Sequence, residues 1–210
     1  DERLSRSLDE LIARRVAFLA EYQNAAYAKR YSDFVAKVRA AEAAKAPGST
    51  DLSEAVARYF FKLMAYKDEY EVARLYTSGE FRRRLEQRFE GDYKLHFHLA
   101  PPLLAKKNAK GELVKREYGP WVFTAFGLLA KLRGLRGSAL DVFGYTEERR
   151  TERALIGEYE QTVTVLLGAL DSGNVELAAD IASVPEQIRG YGHVKHANLH
   201  AAKAREAQLL

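Results

Sequence analysis

Leu52, Val56, Tyr59, Phe60 and Leu63 recur at i, i+4, i+7, i+8 and i+11, the spacing of one helix face. Phe61, Met64 and Tyr66 fall off that face, and a helix apolar on more than one side is buried on more than one side. Lys67-Asp68-Glu69 interrupts the series, and Tyr70, Val72, Ala73, Leu75 and Tyr76 resume it. The pattern predicts two helices, or one kinked helix, at the centre of the fold.

Upstream, Ser7-Leu-Asp-Glu10 is a capping box, after which Leu8, Leu11, Ile12, Leu19 and Tyr22 follow one face. Tyr27, Tyr31, Phe34 and Val38 continue at helical spacing, and no Gly or Pro intervenes before Pro47-Gly48. A single long helix or a helical hairpin is expected from Ser7 to Lys45, with its tyrosine stripe in a core or interface. Asp51-Leu-Ser-Glu54 is expected to cap the central helix. Thr77-Ser-Gly79 reads as a helix stop. Glu80 to Phe89 reads as a short helix with Phe81, Leu85 and Phe89 inward and Arg82, Arg83, Arg84 and Arg88 outward.

After Gly91 the period changes to two. Tyr93, Leu95, Phe97 and Leu99 alternate with Lys94, His96, His98 and Ala100, which predicts a strand ended by Pro101-Pro102. Leu103 to Tyr118, turning at Asn108-Ala-Lys-Gly111, reads as a β-hairpin with a basic tip. Helices resume with Gly119-Pro-Trp121, and Trp121, Ala125, Leu128, Leu129 and Leu132 mark an apolar face. Further helices are expected from about Glu147 to Leu170, Val175 to Val184 and His193 to Leu210. The expected fold is mainly α with a small antiparallel β-hairpin or sheet, a bundle-like single domain over 1–210: helical over 1–90, strand and hairpin over 91–118, helical over 119–210.

Composition narrows the function classes. With 47% hydrophobic and 30% charged residues, the chain has the mix of a globular domain with a core of ordinary size. Its longest apolar runs are about half the ~20 residues a membrane span needs, and no signal-peptide pattern opens the chain, so a cytoplasmic location without a membrane partner is expected. A chain beginning at Asp1 rather than Met is expected to be a piece of something longer. There is no cysteine, which excludes disulfides, thiolate-bound zinc, cysteine-ligated iron–sulfur clusters and a cysteine nucleophile within these residues. The net charge of +4 is uneven: from Arg82 to Arg150, 15 Lys/Arg stand against 8 Asp/Glu, giving +7, and the remainder carries −3. Such a segment is a footprint for anions or an acidic partner, or a solvated face.

No catalytic centre stands out. His96 and His98 share a strand face, and His196 and His200 are i, i+4 on a helix, so these with His193 are metal-ligand candidates, but no H-e-x-x-H pattern is present. Asp68 and Glu71, three apart on a helix, have the spacing of an acid–base pair. They equally suit capping by Asp68 and ion pairing of Glu71 with Arg74, and no nucleophile lies near in sequence. Arg189-Gly-Tyr-Gly-His193 before a helix suits an anion cradle with Arg189 and Lys195, or a tight turn needing positive φ at Gly190 or Gly192. The candidate anion- or partner-binding residues are therefore Arg82, Arg83, Arg84, Lys106, Lys107, Arg189 and Lys195, with no catalytic residue and no metal ligand assigned.

Leu63-Met-Ala-Tyr-Lys-Asp-Glu-Tyr-Glu-Val-Ala-Arg-Leu-Tyr-Thr77 resembles the C-terminal region of long-chain indolepyruvate ferredoxin oxidoreductases. So do Gly91-Asp-Tyr93, Phe97-His-Leu-Ala-Pro-Pro-Leu-Leu104, Gly119-Pro-Trp121 and Pro185-Glu-Gln-Ile-Arg-Gly-Tyr-Gly-His-Val-Lys195, with Arg14 to Leu19, Leu135-Arg-Gly137 and Phe143-Gly-Tyr145. The resemblance covers nearly the whole chain in order. It implies a parent enzyme of the 2-oxoacid:ferredoxin oxidoreductase class, which uses thiamine pyrophosphate with Mg, iron–sulfur clusters, ferredoxin and coenzyme A. The thiamine-binding Gly-Asp-Gly…Asn pattern is absent: Tyr93 stands where the second Gly belongs, and no cysteine is available for a cluster. The resemblance therefore implies a non-catalytic C-terminal accessory domain that packs on the other domains of the parent, itself a homo-oligomer, and helps dock ferredoxin or coenzyme A. Two further readings use the same residues. One is an independent basic helical module that binds nucleic acid, and the other a hydrolase built on a histidine-bound metal.

Overall fold

The computed structural model describes residues 5–91, 94–99, 114, 116–190 and 192–210. It is mainly α-helical with one small two-stranded antiparallel sheet. The chain divides into two compact units: unit 1 is Asp1–Tyr66 with Thr151–Leu210, and unit 2 is Lys67–Arg150. The first boundary between the units falls between Tyr66 and Lys67, where the polar Lys67-Asp68-Glu69 interruption of the central apolar series begins.

In unit 1, α1 (Leu8–Tyr22) and α2 (Ala25–Lys45) form the hairpin alternative of the expected Ser7–Lys45 helix. Ser7 Oγ accepts from the Glu10 N–H at 3.1 Å, and the Glu10 carboxylate reaches back to the Arg6 N–H at 2.7 Å. The break comes without Gly or Pro: Asn24 takes an extended conformation, and its Oδ1 accepts from the Tyr27 N–H at 2.9 Å. α3 (Asp51–Met64) packs on α1, α2 and α8 (Val175–Ser183). Its expected stripe is inside, with Leu52, Val56 and Phe60 fully buried, and Met64 and Tyr66 are buried off that stripe. α7 (Glu147–Ala169) sends Tyr159 against Phe60, which lies between the rings of Tyr31 and Tyr159 at centroid distances of 6.0 and 5.9 Å. A 3-10 turn (Val184–Gln187) leads to α9 (Gly192–Leu209).

The expected cap of α3 needs correction. Thr50 occupies the cap position without a side-chain bond, and Asp51 is exposed. The fully buried carboxylate of Glu42 on α2 takes over: it accepts from the Leu52 N–H at 3.0 Å, the Ser53 N–H at 2.9 Å and the Ser49 hydroxyl at 2.9 Å, and also from the Ser53 hydroxyl. Orphan N–H donors of a buried helix start are thus met by a charge from the preceding helix. The tyrosine stripe serves carbonyls. Tyr27 donates to Met64 O at 3.0 Å, Tyr22 to Tyr66 O at 2.7 Å and Tyr31 to Ala57 O at 2.9 Å.

In unit 2, α4 (Glu69–Thr77) stops at the expected place, and Ser78 then caps α5 (Gly79–Arg88) through its Oγ. β1 (Phe97–Leu99) pairs antiparallel with β2 (Arg116–Tyr118) in the register Phe97↔Tyr118, His98↔Glu117, Leu99↔Arg116. The strand is shorter than the expected 93–99, for Lys94 to His96 are not in it, and the tip of the expected hairpin lies outside the described residues. α6 (Trp121–Lys131) packs on α4 and continues into a 3-10 turn (Leu132–Leu135). Its apolar face is a second correction. Val122, Phe126 and Ala130 are buried, whereas Trp121 and Leu128 are each 64% exposed. Tyr76, Phe97 and Phe126 form the aromatic centre of unit 2, with Tyr76 stacked on Phe126 at 5.6 Å and edge-on to Phe97 at 5.4 Å.

Glu42→Ala removes the acceptor of the Leu52 and Ser53 N–H groups and of the Ser53 hydroxyl, and is expected to destabilise unit 1 by about 3 kcal/mol, with Glu42→Gln intermediate, in equilibrium urea unfolding. A loss below ~0.5 kcal/mol for the alanine variant would show that α3 does not depend on this cap.

Burial pushes the Tyr31 phenol up to about 12, against a smaller opposing pull from Arg15. A raised folded-state value means stability is complete below the ordinary phenol range near 10 and is lost as pH rises from there towards 12. Tyr31→Phe should therefore lose roughly 2 kcal/mol less than the wild type between those two pH values, measured as the difference in urea midpoints.

Candidate functional site

The densest chemistry in the described residues belongs to four consecutive side chains at the start of α4. Asp68 is the cap residue, its Oδ1 accepting from the Glu71 N–H at 2.8 Å. The same carboxylate takes two bonds from the Arg136 guanidinium, Nε to Oδ2 at 2.5 Å and Nη2 to Oδ1 at 2.9 Å, with the side chains only 3% and 2% exposed. Glu69 meets Arg149 at 3.3 Å, and its pKa is raised, by burial first and against the pull of Arg149. Tyr70 donates to Asp141 Oδ1 at 3.2 Å; burial first, then the Asp141 charge, pushes its phenol up. Glu71 forms a two-pronged pair with Arg74 at 2.8 and 2.9 Å.

Two local devices bring Arg136 and Asp141 to this place. The 3-10 turn ends at Arg136, and Gly137 follows at φ 74°, a left-handed conformation that an L side chain rarely adopts. Asp141 then ties its own loop, accepting from the Gly137 N–H at 2.7 Å and the Gly144 N–H at 3.0 Å. The Arg136 guanidinium also lies 5.5 Å from the Tyr70 ring centroid.

This arrangement gives Asp68 and Glu71 the capping and ion-pairing roles that their spacing allowed, since both carboxylates face guanidinium groups in a buried setting. Arg136, Asp141 and Arg149 were not singled out from sequence. They lie far along the chain from their partners, and the sole sequence signal was the glycine-punctuated Leu132-Arg-Gly-Leu-Arg-Gly137 run.

The remaining candidates are dispersed. Arg82, Arg83, Arg84 and Arg88 are all exposed on α5, as expected. Arg84 pairs with Glu80 at 2.5 Å, and Arg82 lies 5.6 Å over the Phe123 ring. Arg82 and Lys94 also line a cavity of about 370 Å³ whose walls include Phe81, Leu85, Leu95 and Phe123. Arg189 and Lys195 belong to unit 1 and hold internal partners, Arg189 with Glu186 at 2.8 Å and Lys195 with Glu152. Gly190 and Gly192 both take positive φ, at 91° and 54°, and a Cβ on Gly190 would stand 2.8 Å from Val194 Cγ1, so the turn role holds there. Lys106 and Lys107 lie outside the described residues, as do Asp92, Tyr93 and the side chain of His193.

His96 meets Glu117 at 2.5 Å in an exposed pair, and His196 and His200 are exposed. Among the described residues no group of three or more His, Cys, Asp or Glu side chains is placed to hold a metal ion. No helix among the described residues is long and apolar enough to cross a membrane.

A protein-family profile matches residues 8–208 of the chain. The chain belongs to the family of unknown function DUF6537. The match takes in both units of this DUF6537 chain, including the whole Asp68–Asp141 network. No curated protein and no solved structure matches it.

Asp68→Ala takes the paired carboxylate from the buried Arg136 guanidinium and is expected to weaken unit 2 by about 3–5 kcal/mol, seen as faster amide exchange throughout α4. Adding Arg136→Met should recover much of that loss. Equal losses in the single and double variants would mean that the ion pair is not what holds α4.

Proposed function

We propose that this chain is a non-catalytic accessory domain of a thiamine-dependent 2-oxoacid:ferredoxin oxidoreductase of the indolepyruvate type, and that unit 2 is its docking surface. The observation that carries the reading is the outward stripe of α6. Trp121, Ala125, Leu128 and Leu132 recur at i, i+4, i+7 and i+11, and all four are exposed. Of the large hydrophobic side chains exposed among the described residues, nine lie in unit 2 and four in the longer unit 1. An aligned apolar stripe with a tryptophan at its head suits burial against another protein surface. The ordered resemblance of the chain to the C-terminal region of those enzymes supplies the partner: the catalytic domains of the parent, where thiamine pyrophosphate, Mg and the iron–sulfur centres are held. In this reading the domain works in the cytoplasm within a homo-oligomeric enzyme.

The arginines of α5 serve a second part of that role. Arg82, Arg83, Arg84 and Arg88 present positive charge, and ferredoxins are acidic, so complementary charge would speed encounter more than it would strengthen the final complex. Reversing Arg82, Arg83 and Arg84 to Glu in the parent enzyme should raise the apparent KM for ferredoxin severalfold at ~50 mM salt, with the effect fading at ~0.5 M. An unchanged KM would remove ferredoxin docking. Trp121→Ser with Leu128→Ser should instead release the domain to proteolysis within the enzyme while leaving the isolated chain's urea midpoint unchanged. Protection equal to that of the wild type would remove the packing role.

A further inference from the structure

The cavity of about 370 Å³ in unit 2 is walled by α5, the residues leading into β1 and the start of α6. Its apolar wall is Phe81 and Leu85 from α5, Leu95 before β1, and Pro120 and Phe123 at the start of α6. Leu95 and Phe123 pack in turn against the buried Phe97, Val122 and Phe126 cluster, so this wall is tied to the core of unit 2. Arg82 and Lys94 are the charged members of the described lining, which includes no acid, and both are exposed. Among the described residues neither meets a carboxylate. Glu80 pairs with Arg84 and Glu117 with His96, each at 2.5 Å. Arg82 lies 5.6 Å over the Phe123 ring, a neutral partner that cancels no charge.

The two halves of this lining ask for different things. An inorganic anion would leave the apolar wall against a hydrated ion, and a neutral hydrocarbon would take two cations partly out of water without a partner. A ligand with one anionic end and an apolar body satisfies both. The rings of the wall already have neighbours: Phe81 meets Tyr76 edge-on at 5.1 Å, and Arg82 covers Phe123. Leu85, Leu95 and Pro120 make up the rest, which suits a flexible alkyl chain better than a flat ring in search of a stacking face. The guanidinium fork of Arg82 matches the two oxygens of a carboxylate, Lys94 adds a point charge, and Thr124 adds a hydroxyl to the same lining. At about 30 Å³ for each water-sized group, the cavity takes roughly a dozen non-hydrogen atoms, the size of decanoate.

We propose that this cavity binds a medium-chain alkyl carboxylate, with its head on Arg82 and Lys94 and its chain against Leu85 and Leu95. The site lies wholly within unit 2. Binding is read on this chain alone, so its failure leaves the docking of ferredoxin on α5 untouched.

Isothermal titration of the intact chain with hexanoate, octanoate and decanoate at ~50 mM salt tests it. Saturable one-to-one binding is expected, tightening about two- to fourfold for each added methylene. Octylammonium, with the same chain and the opposite charge, should not saturate. Binding of decanoate should weaken about tenfold in Arg82→Gln/Lys94→Gln, and it should persist in Arg83→Gln/Arg88→Gln and in Trp121→Ser/Leu128→Ser. Arg82 and Lys94 are exposed, so the cavity variant is expected to keep its urea midpoint. Three outcomes each overturn the proposal. One is no saturable heat from decanoate at roughly millimolar concentration, well above the Kd a specific small-molecule site shows. Another is an affinity that is flat along the series or equal for octylammonium. The third is loss of binding in the α6 variant with none in the cavity variant, which would place the chain on the exposed α6 stripe instead.

Discussion

A buried carboxylate with no cation partner among the described residues sets the frame of unit 1. Glu42 sits on α2, fully enclosed, and its oxygens are met by two backbone N–H groups and two hydroxyls at the start of α3. A charge in that setting is tolerable only because the helix start is electron-poor and all its donors point one way. The consequence is geometric. α3 cannot slide or rotate against α2 without breaking several bonds to a charged group at once. The other end is fixed by phenols from α1 and α2 on the carbonyls of Met64 and Tyr66. With both ends held, the apolar stripe of α3 faces one way, and Phe60 stacks between Tyr31 and Tyr159.

Unit 2 solves the same problem with paired charges. Its first helix has nine residues, too short to be stable alone, and each of Asp68, Glu69, Tyr70 and Glu71 is tied to a partner. Three of the four partners come from 136–149, so the start of α4 and the loop around Asp141 order each other. A guanidinium fork on a capping carboxylate does two jobs with one side chain: it neutralises Asp68, and it leaves an oxygen aimed at the Glu71 N–H. The Lys67-Asp68-Glu69 interruption is thus a change of stabilising chemistry along the chain, from apolar burial in α3 to ion pairing in α4.

How much of this could be seen beforehand depended on the range of the interaction. Local signals served well: Ser7 with Glu10, the stop at Thr77, the break at Lys67 and the positive φ of Gly190 all depend on neighbours within a few residues. The Asn24 break was half visible, because Asn is a good cap but nothing nearby forced a turn. The cap of α3 was misplaced since Asp51 and Glu42 are equally acidic, and only the packing of α2 on α3 chooses between them. The face of α6 failed for another reason. Trp121 to Ala130 is apolar at almost every position, so periodicity carries no phase, and the buried set Val122, Phe126, Ala130 is as regular as the exposed one. Pairs such as Asp68 with Arg136 have no signature in one sequence, because the separation of their positions says nothing about proximity.

Charge was legible in kind but not in place. A window from Arg82 to Arg150 stands out because it sums to +7, yet some of its cations, Arg136 and Arg149 among them, are turned inward to carboxylates. The arginine-lined cleft of unit 1 is invisible to any such window. Its arginines at 6, 14, 15 and 58 are interleaved with acids, in a part of the chain whose overall balance is negative. Helix packing sorts those signs: Asp9 turns to Arg39 on α2, and Glu42 turns to the start of α3. Where charge gathers in unit 1 is therefore decided by the packing of α1 and α2 on α3 rather than by composition.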